Sequence, residues 1–166
     1  MNNSIRKYVF AVALVACVLA LAWHFEKTPH APPQPIARIQ LLPGELKWDC
    51  NPKLHGLQTA ILAGNPNASE PYAERIKLPA HFRLPPHSHP NAARMVTVLS
   101  GTLYYATGDT FDETKLKALP AGSFFTEPKD MVHFAMTKDE EVILQLNAIG
   151  PDGTKLVGSD ASPKPK

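Results

Sequence analysis

The chain has 166 residues, 44% of them hydrophobic and 19% charged, with a formal charge of +2. That length and composition fit one globular domain with appendages and exclude a disordered chain. Without Arg6 and Lys7, which fall in the leader described next, the balance is 17 − 2 = 15 basic against 15 acidic residues with no basic run, which gives no case for nucleic acid.

Residues 1–22 read as a secretory signal peptide. Arg6 and Lys7 form the positive start, Tyr8 to Leu19 is apolar, and Ala20-Leu21-Ala22 offers a small-x-small cleavage site. Two other readings stand beside it: Leu14-Val15-Ala16-Cys17 as a lipobox with a lipid on Cys17, and an uncleaved membrane anchor from Tyr8 to Phe25. All three place the folded part outside the cytoplasm, periplasmic or extracellular. Cleavage leaves Cys50 unpaired, read as a small, semi-buried side chain, with a reactive thiol or an intermolecular disulfide as the alternative.

Residues 23–35 (WHFEKTPHAPPQP) form a proline-rich spacer, and His24 and His30 within it read as solvated. The folded part is expected over 36–158, with a polar, proline-containing tail at 159–166. Ile36–Leu42 has a strand-like apolar pattern ended by Pro43-Gly44, and Glu45–Trp48 reads as a second short strand. His55 falls in a loop. Gln58–Ala63 is a buried strand closed by the turn-rich GNPNASEP. Tyr72–Leu78 alternates, with Tyr72, Glu74, Ile76 and Leu78 on one face, as a strand with one wet side does. His81–Leu84 leads into Pro85-Pro86 and His87-Ser88-His89-Pro90.

Met95–Leu99 and Thr102–Thr107 are strongly β-forming runs that Ser100-Gly101 joins as a hairpin. Phe111–Leu119 carries one helical turn within a hairpin loop. Ser123–Glu127, Met131–Thr137 with His133, Glu141–Ile149 and Thr154–Val157 complete a series of strands separated by Gly/Pro turns. Many short strands with little helix argue for an all-β sandwich or barrel.

Alternate residues of a strand share a face, so His87 and His89 can both point inward, and His133 on a later strand can join them. Three neutral imidazoles suit zinc, iron(II), copper or nickel. The same residues resemble the cupin superfamily. Its first motif (His-x-His, four residues, an acid, six residues, Gly) is met by HSHPNAARMVTVLSG, with His87, His89 and Gly101 in place. Its second motif (Gly, five residues, Pro-x-Gly, two residues, His) is met by GSFFTEPKDMVH, with Gly122, Pro128 and His133 in place. The resemblance implies a single-domain jelly-roll β-barrel over about Ile36 to Val157, with a divalent metal (Zn, Fe, Mn, Ni or Cu) in its mouth and a plausible homodimer.

Three positions depart from the family. The first-motif acid is Arg94, the second-motif Gly is Asp130, and the Asn after the last His is Thr137. Asp130 needs only a turn that accepts positive φ. An inward Arg94 repels a divalent ion and weakens its binding, or draws in an anion with it; a one-residue slip instead puts Ala93 inside. The pocket therefore reads as a three-histidine metal centre with open positions, as in some cupin dioxygenases, or as a metal-free pocket holding a small anionic ligand, or as a scaffold. Arg94 is expected to orient an anionic group on the substrate, with Tyr104 as a further candidate for the pocket; Gln145 and Asn147 read equally as pocket residues and as an outward polar face. Tyr104 and Tyr105 place one phenol on each face of their strand. Glu127 is a candidate to replace the missing acid, but a glutamate just before a proline turn is more often a surface residue, and it is read so.

Overall fold

A computed structural model of the protein describes residues 38–51, 54 and 56–158. The leader and its lipid or membrane alternatives, the spacer at 23–35, the tail at 159–166, and His24, His30 and His55 lie outside the described residues.

Eleven strands are described: β1 (Asp49–Cys50), β2 (Gln58–Ala63), β3 (Pro71–Leu78), β4 (Arg83–Ser88), β5 (Arg94–Ser100), β6 (Thr102–Thr107), β7 (Lys117–Pro120), β8 (Phe124–Glu127), β9 (His133–Met136), β10 (Val142–Ile149) and β11 (Lys155–Leu156). They form two antiparallel sheets, one ordered β1-β2-β3-β10-β5-β8 and the other β11-β4-β9-β6-β7. The inner faces of the two sheets make the core. Tyr72 and Leu78 of β3, Val96 and Val98 of β5, Leu103 of β6 and Val142, Leu144 and Leu146 of β10 are buried in one cluster. In the larger sheet β3 and β10 alternate into that core with period two, as the pattern at Tyr72–Leu78 predicts. β3 and β10 pair along their whole length, from Val142 opposite Leu78 to Ile149 opposite Pro71, and form the rigid floor under the site.

Two strand expectations are corrected. The described part of the run Ile36–Leu42 makes no strand: Ile39, Leu41 and Leu42 are 49%, 44% and 60% exposed, and Pro43–Glu45 is a 3₁₀ turn. Glu45–Trp48 is not a strand either; Asp49–Cys50 takes the edge of β2 instead. An apolar run becomes a strand only where a ladder partner is free, and periodicity cannot show that. A further correction is topological. Met95–Leu99 and Thr102–Thr107 do not pair with each other; β5 lies in the larger sheet and β6 in the smaller. Ser100-Gly101 is a corner where the chain changes sheets, and Gly101 has φ 73° with the place of a Cβ only 2.5 Å from the Glu141 carbonyl. The helical turn is confined to Glu113–Lys115, capped by Asp112, in the loop between the paired strands β6 and β7. Cys50 is exposed, not semi-buried.

β4 runs through Pro85-Pro86. Neither proline has an N–H to give to β9, and the β4–β9 ladder shifts register between Leu84 and His87. Pairing resumes with His87 directly opposite His133. The irregularity thus ends by setting two of the three histidines side by side.

Candidate metal centre

His87, His89 and His133 are buried, at 4%, 1% and 1% exposure. One ring nitrogen from each lies within 4.8 Å of the others. The opposite nitrogens have defined partners: Nδ1 of His87 meets the Pro85 carbonyl at 2.8 Å, Nδ1 of His89 the Gly153 carbonyl at 2.9 Å, and Nδ1 of His133 the Met131 carbonyl at 3.0 Å. A carbonyl only accepts, so each Nδ1 carries a proton and each Nε2 is the nitrogen left for the cluster. Outer hydrogen bonds of this kind orient metal-binding imidazoles. Burial drives the His87 ring down to about 3 and, with Arg94 beside it, the His89 ring to about 4, so both stay neutral near pH 7. Asp130 adopts φ 62°, as its turn requires, and its N–H donates to the His89 carbonyl at 3.2 Å.

Arg94 points inward and is 9% exposed, while Ala93 faces solvent; the strand does not slip. Its Nη1 donates to His89 Nε2 at 2.9 Å, and its Nη2 pairs with the Asp152 carboxylate, which also accepts from the Tyr72 hydroxyl. Burial pushes the Asp152 carboxyl up, but Arg94 and Tyr72 outweigh it and hold Asp152 below its usual range. Glu127 is buried, against the surface expectation. Its Oε1 stands 3.1 Å from His133 Nε2, and its Oε2 3.6 Å from His89 Nε2 and 3.8 Å from Arg94 Nη1. Burial raises the Glu127 carboxyl, yet His133, Arg94 and His89 together bring it down to about 2.

A cavity of about 210 Å³ opens beside this cluster. His87, His133, Arg94, Glu127 and Glu74 form its polar end, and Leu78, Leu103, Leu144, Leu146, Tyr105 and Phe125 its apolar walls. Among the described residues, Tyr105 Oη and Arg94 Nε are buried donors with no hydrogen-bond partner. Burial, reinforced by Glu127, raises the Tyr105 phenol, which therefore stays protonated and able to donate. Burial also raises the Glu74 carboxyl.

Three candidates lie elsewhere. Tyr104 faces outward beneath Lys138, whose Nζ is 4.2 Å from the ring centre; Tyr105 is the inward phenol, stacked 5.3 Å from His133. Leu103 is buried in the core and fixes that parity, since residues two apart share a face. Gln145 is on the outer face of β10, opposite Arg75, which donates to it at 3.4 Å, and Asn147 is exposed on the same face. Leu144 and Leu146 take the inner face there. Glu74 was legible from the alternation of β3, whereas Asp152, in a loop 58 positions beyond Arg94, left no spacing signal.

Three pre-oriented imidazoles with a carboxylate beside them fit a divalent ion. Arg94 works against it by donating to one of the three lone pairs.

The family described as "Domain of unknown function (DUF4437)" matches residues 38–147. A germin-like protein 9-3 from Oryza sativa subsp. japonica is 34% identical over 86 residues, 52% of this chain but 40% of the relative. The chain thus spans less than half of that relative. Among solved structures, the polyketide cyclase RemF from Streptomyces resistomycificus superposes with a TM-score of 0.62 at 15% identity, covering 74% of this chain and 87% of the cyclase. An RmlC-like cupin from Shewanella frigidimarina superposes with a TM-score of 0.54 at 17% identity, covering 69% of this chain and 94% of that one.

Proposed function

Because the chain belongs to the DUF4437 family and to the cupin superfamily, we propose that it binds a divalent metal through His87, His89 and His133 and acts on a small molecule bearing an anionic oxygen group. The observation that carries this reading is the commitment of all three Nδ1 atoms to backbone carbonyls, which leaves the three Nε2 atoms for a shared ion, with one ring nitrogen of each histidine within 4.8 Å of the others. When bound, the ion supplies Lewis acidity toward a substrate oxygen, and iron, copper or manganese adds the electron transfer of a dioxygenase-like oxidoreductase. The rest is done by the chain's own side chains. The unpartnered Tyr105 hydroxyl and Arg94 Nε are placed to donate to a carboxylate or similar oxygen, which offsets the cost of leaving them buried without partners. Leu144, Leu146 and Phe125 hold the apolar part of the ligand and keep water out. Fold likeness to a cyclase lends the enzymatic reading analogy only.

A second reading has its own support. Arg94 Nη1 satisfies His89 Nε2 without any metal, as a non-catalytic, metal-free pocket for an anion requires. Calorimetric titration of acetate, oxalate and benzoate into zinc-loaded and metal-free protein separates the two. Zinc-dependent binding that weakens in Tyr105→Phe supports the metal reading, equal binding in both forms supports the second, and no binding to either overturns the anionic ligand.

Export, with removal of residues 1–22 and lipid or membrane anchoring as alternatives, is also proposed, from the charged start and apolar run of the leader. The mass of the protein recovered from the periplasm of a Gram-negative host tests this, and a full-length chain confined to the cytosol contradicts it. Met95, Leu99 and Phe124, exposed on the outer face of the larger sheet, support a homodimer.

A further inference from the structure

β5 and β8 pair so that Arg94 lies directly opposite Glu127. Arg94 fills the position where the first motif calls for an acid. We infer that Glu127 supplies that acid from the neighbouring strand and is the fourth ligand of the metal. The inference rests on the three-histidine metal reading and adds to it a ligand that neither motif provides.

The first argument is an unresolved contact. His133 Nδ1 donates to the Met131 carbonyl, so its Nε2 is the nitrogen turned toward the cluster. Glu127 Oε1 faces that nitrogen at 3.1 Å. Without an ion, a proton on Nε2 bridges the two; a divalent ion bound there takes that proton's place. Two bonds of about 2.0–2.2 Å meeting at one ion with octahedral or tetrahedral angles separate their donor atoms by roughly 2.8–3.6 Å. The observed separation lies within that span.

The second argument is charge. Arg94 Nη2 is committed to Asp152, and that pair neutralises itself inside the barrel wall. Arg94 reaches Glu127 only loosely, at 3.8 Å. Glu127, 7% exposed, is left as a buried carboxylate whose charge the Arg94–Asp152 pair does not answer. Three neutral imidazoles, one carboxylate and a self-neutralised ion pair offer a divalent ion the same net charge as three histidines with an acid at position 94.

The third argument is geometric. Residues directly opposite in an antiparallel pair have Cβ atoms about 4.5–5.5 Å apart. Moving the carboxylate from one strand to its facing partner therefore displaces its root by about that distance, which the length of a Glu side chain can recover. Arg94, relieved of ligand duty, is free to face the cavity with its unpartnered Nε.

The test uses the full chain and zinc. A crystal structure of zinc-loaded wild type is expected to show a Glu127 oxygen about 2.0–2.2 Å from the ion. By calorimetry, Glu127→Gln, which keeps shape and loses charge, is expected to weaken zinc binding by about ten-fold or more. The double variant Arg94→Glu/Glu127→Arg, which returns the acid to β5, is expected to bind zinc more tightly than Glu127→Gln. Zinc bound by wild type with Glu127 beyond 3 Å, and bound equally by a folded Glu127→Gln, overturns the inference and leaves the three-histidine reading intact. Failure of wild type to bind zinc at all overturns both.

Discussion

Replacing Arg94 with methionine, of similar length and no charge, should move stability and metal affinity in opposite directions. Arg94 Nη1 is 2.9 Å from His89 Nε2. An ion held by that nitrogen at about 2.1 Å lies at most about 5 Å from the guanidinium charge. At an effective dielectric constant of about 20, repulsion between one positive charge and each unit of the ion's charge over that distance is about 3 kcal/mol. The variant also frees the His89 lone pair and leaves the Asp152 carboxylate unpaired nearby, and both changes favour the ion. Zinc affinity should therefore rise about 100-fold or more. The metal-free fold should meanwhile lose about 3 kcal/mol, because removing one partner strands the other charge of a buried pair. Retained hydrogen bonds to Asp152 from Tyr72 and the Gly153 N–H keep the loss at that lower end. Urea unfolding of metal-free protein and calorimetric titration with zinc read the two quantities separately. A folded variant whose zinc affinity is unchanged or weaker refutes the electrostatic argument.

Three further outcomes follow from the geometry. Thr137, fully buried, donates to the Pro79 carbonyl and accepts from the Phe82 N–H at 2.9 Å; Thr137→Val strands both groups and should cost about 2 kcal/mol in urea unfolding. A cost near zero would show that the barrel relaxes around them. Gly101→Ala meets positive φ and the Glu141 carbonyl at once, and should lower stability by on the order of 3 kcal/mol, visible as a drop in the melting temperature. The third concerns acid. His87 and His89 titrate at about 3 and about 4 in the fold, below the ordinary 6.5, so the unfolded chain takes up protons first as pH falls. Metal-free stability is therefore full above about pH 6.5 and declines below it, by on the order of 2 kcal/mol at pH 5 from His87 alone. A melting temperature that is flat from pH 7 to pH 5 contradicts the buried, neutral state of these rings.

Much of this architecture is written in local pattern. The parity of Tyr72, Glu74, Ile76 and Leu78 shows which face of β3 is buried, and the spacing of His87, His89 and His133 marks the cluster. The inward turn of Arg94 follows from sharing a face with Val96 and Val98. Other features depend on partners that no local pattern names. Ser100-Gly101 reads alike as a hairpin turn and as a corner between sheets, and only the pairing of β5 with β10 and β8 decides between them. Tyr104 and Tyr105 were ambiguous because β6 is covered on both sides: Leu103 is buried within the core, while Ala106 is also buried opposite Phe134 of β9. Two-sided burial erases the period of two. Gln145 could have been placed outward from Val142, Leu144 and Leu146, which form an unbroken inner row. Glu127 sits before a proline turn, a surface signal, and its burial comes from register with Arg94 across two strands. Asp152 reaches the site from a distant loop.

The central claim is that three imidazoles share one ion. Metal content per chain, measured on protein purified without chelator beside a His87→Ala/His89→Ala variant, tests it most directly. The account predicts close to one divalent ion per wild-type chain and almost none in the variant; equal and negligible metal in both would contradict it.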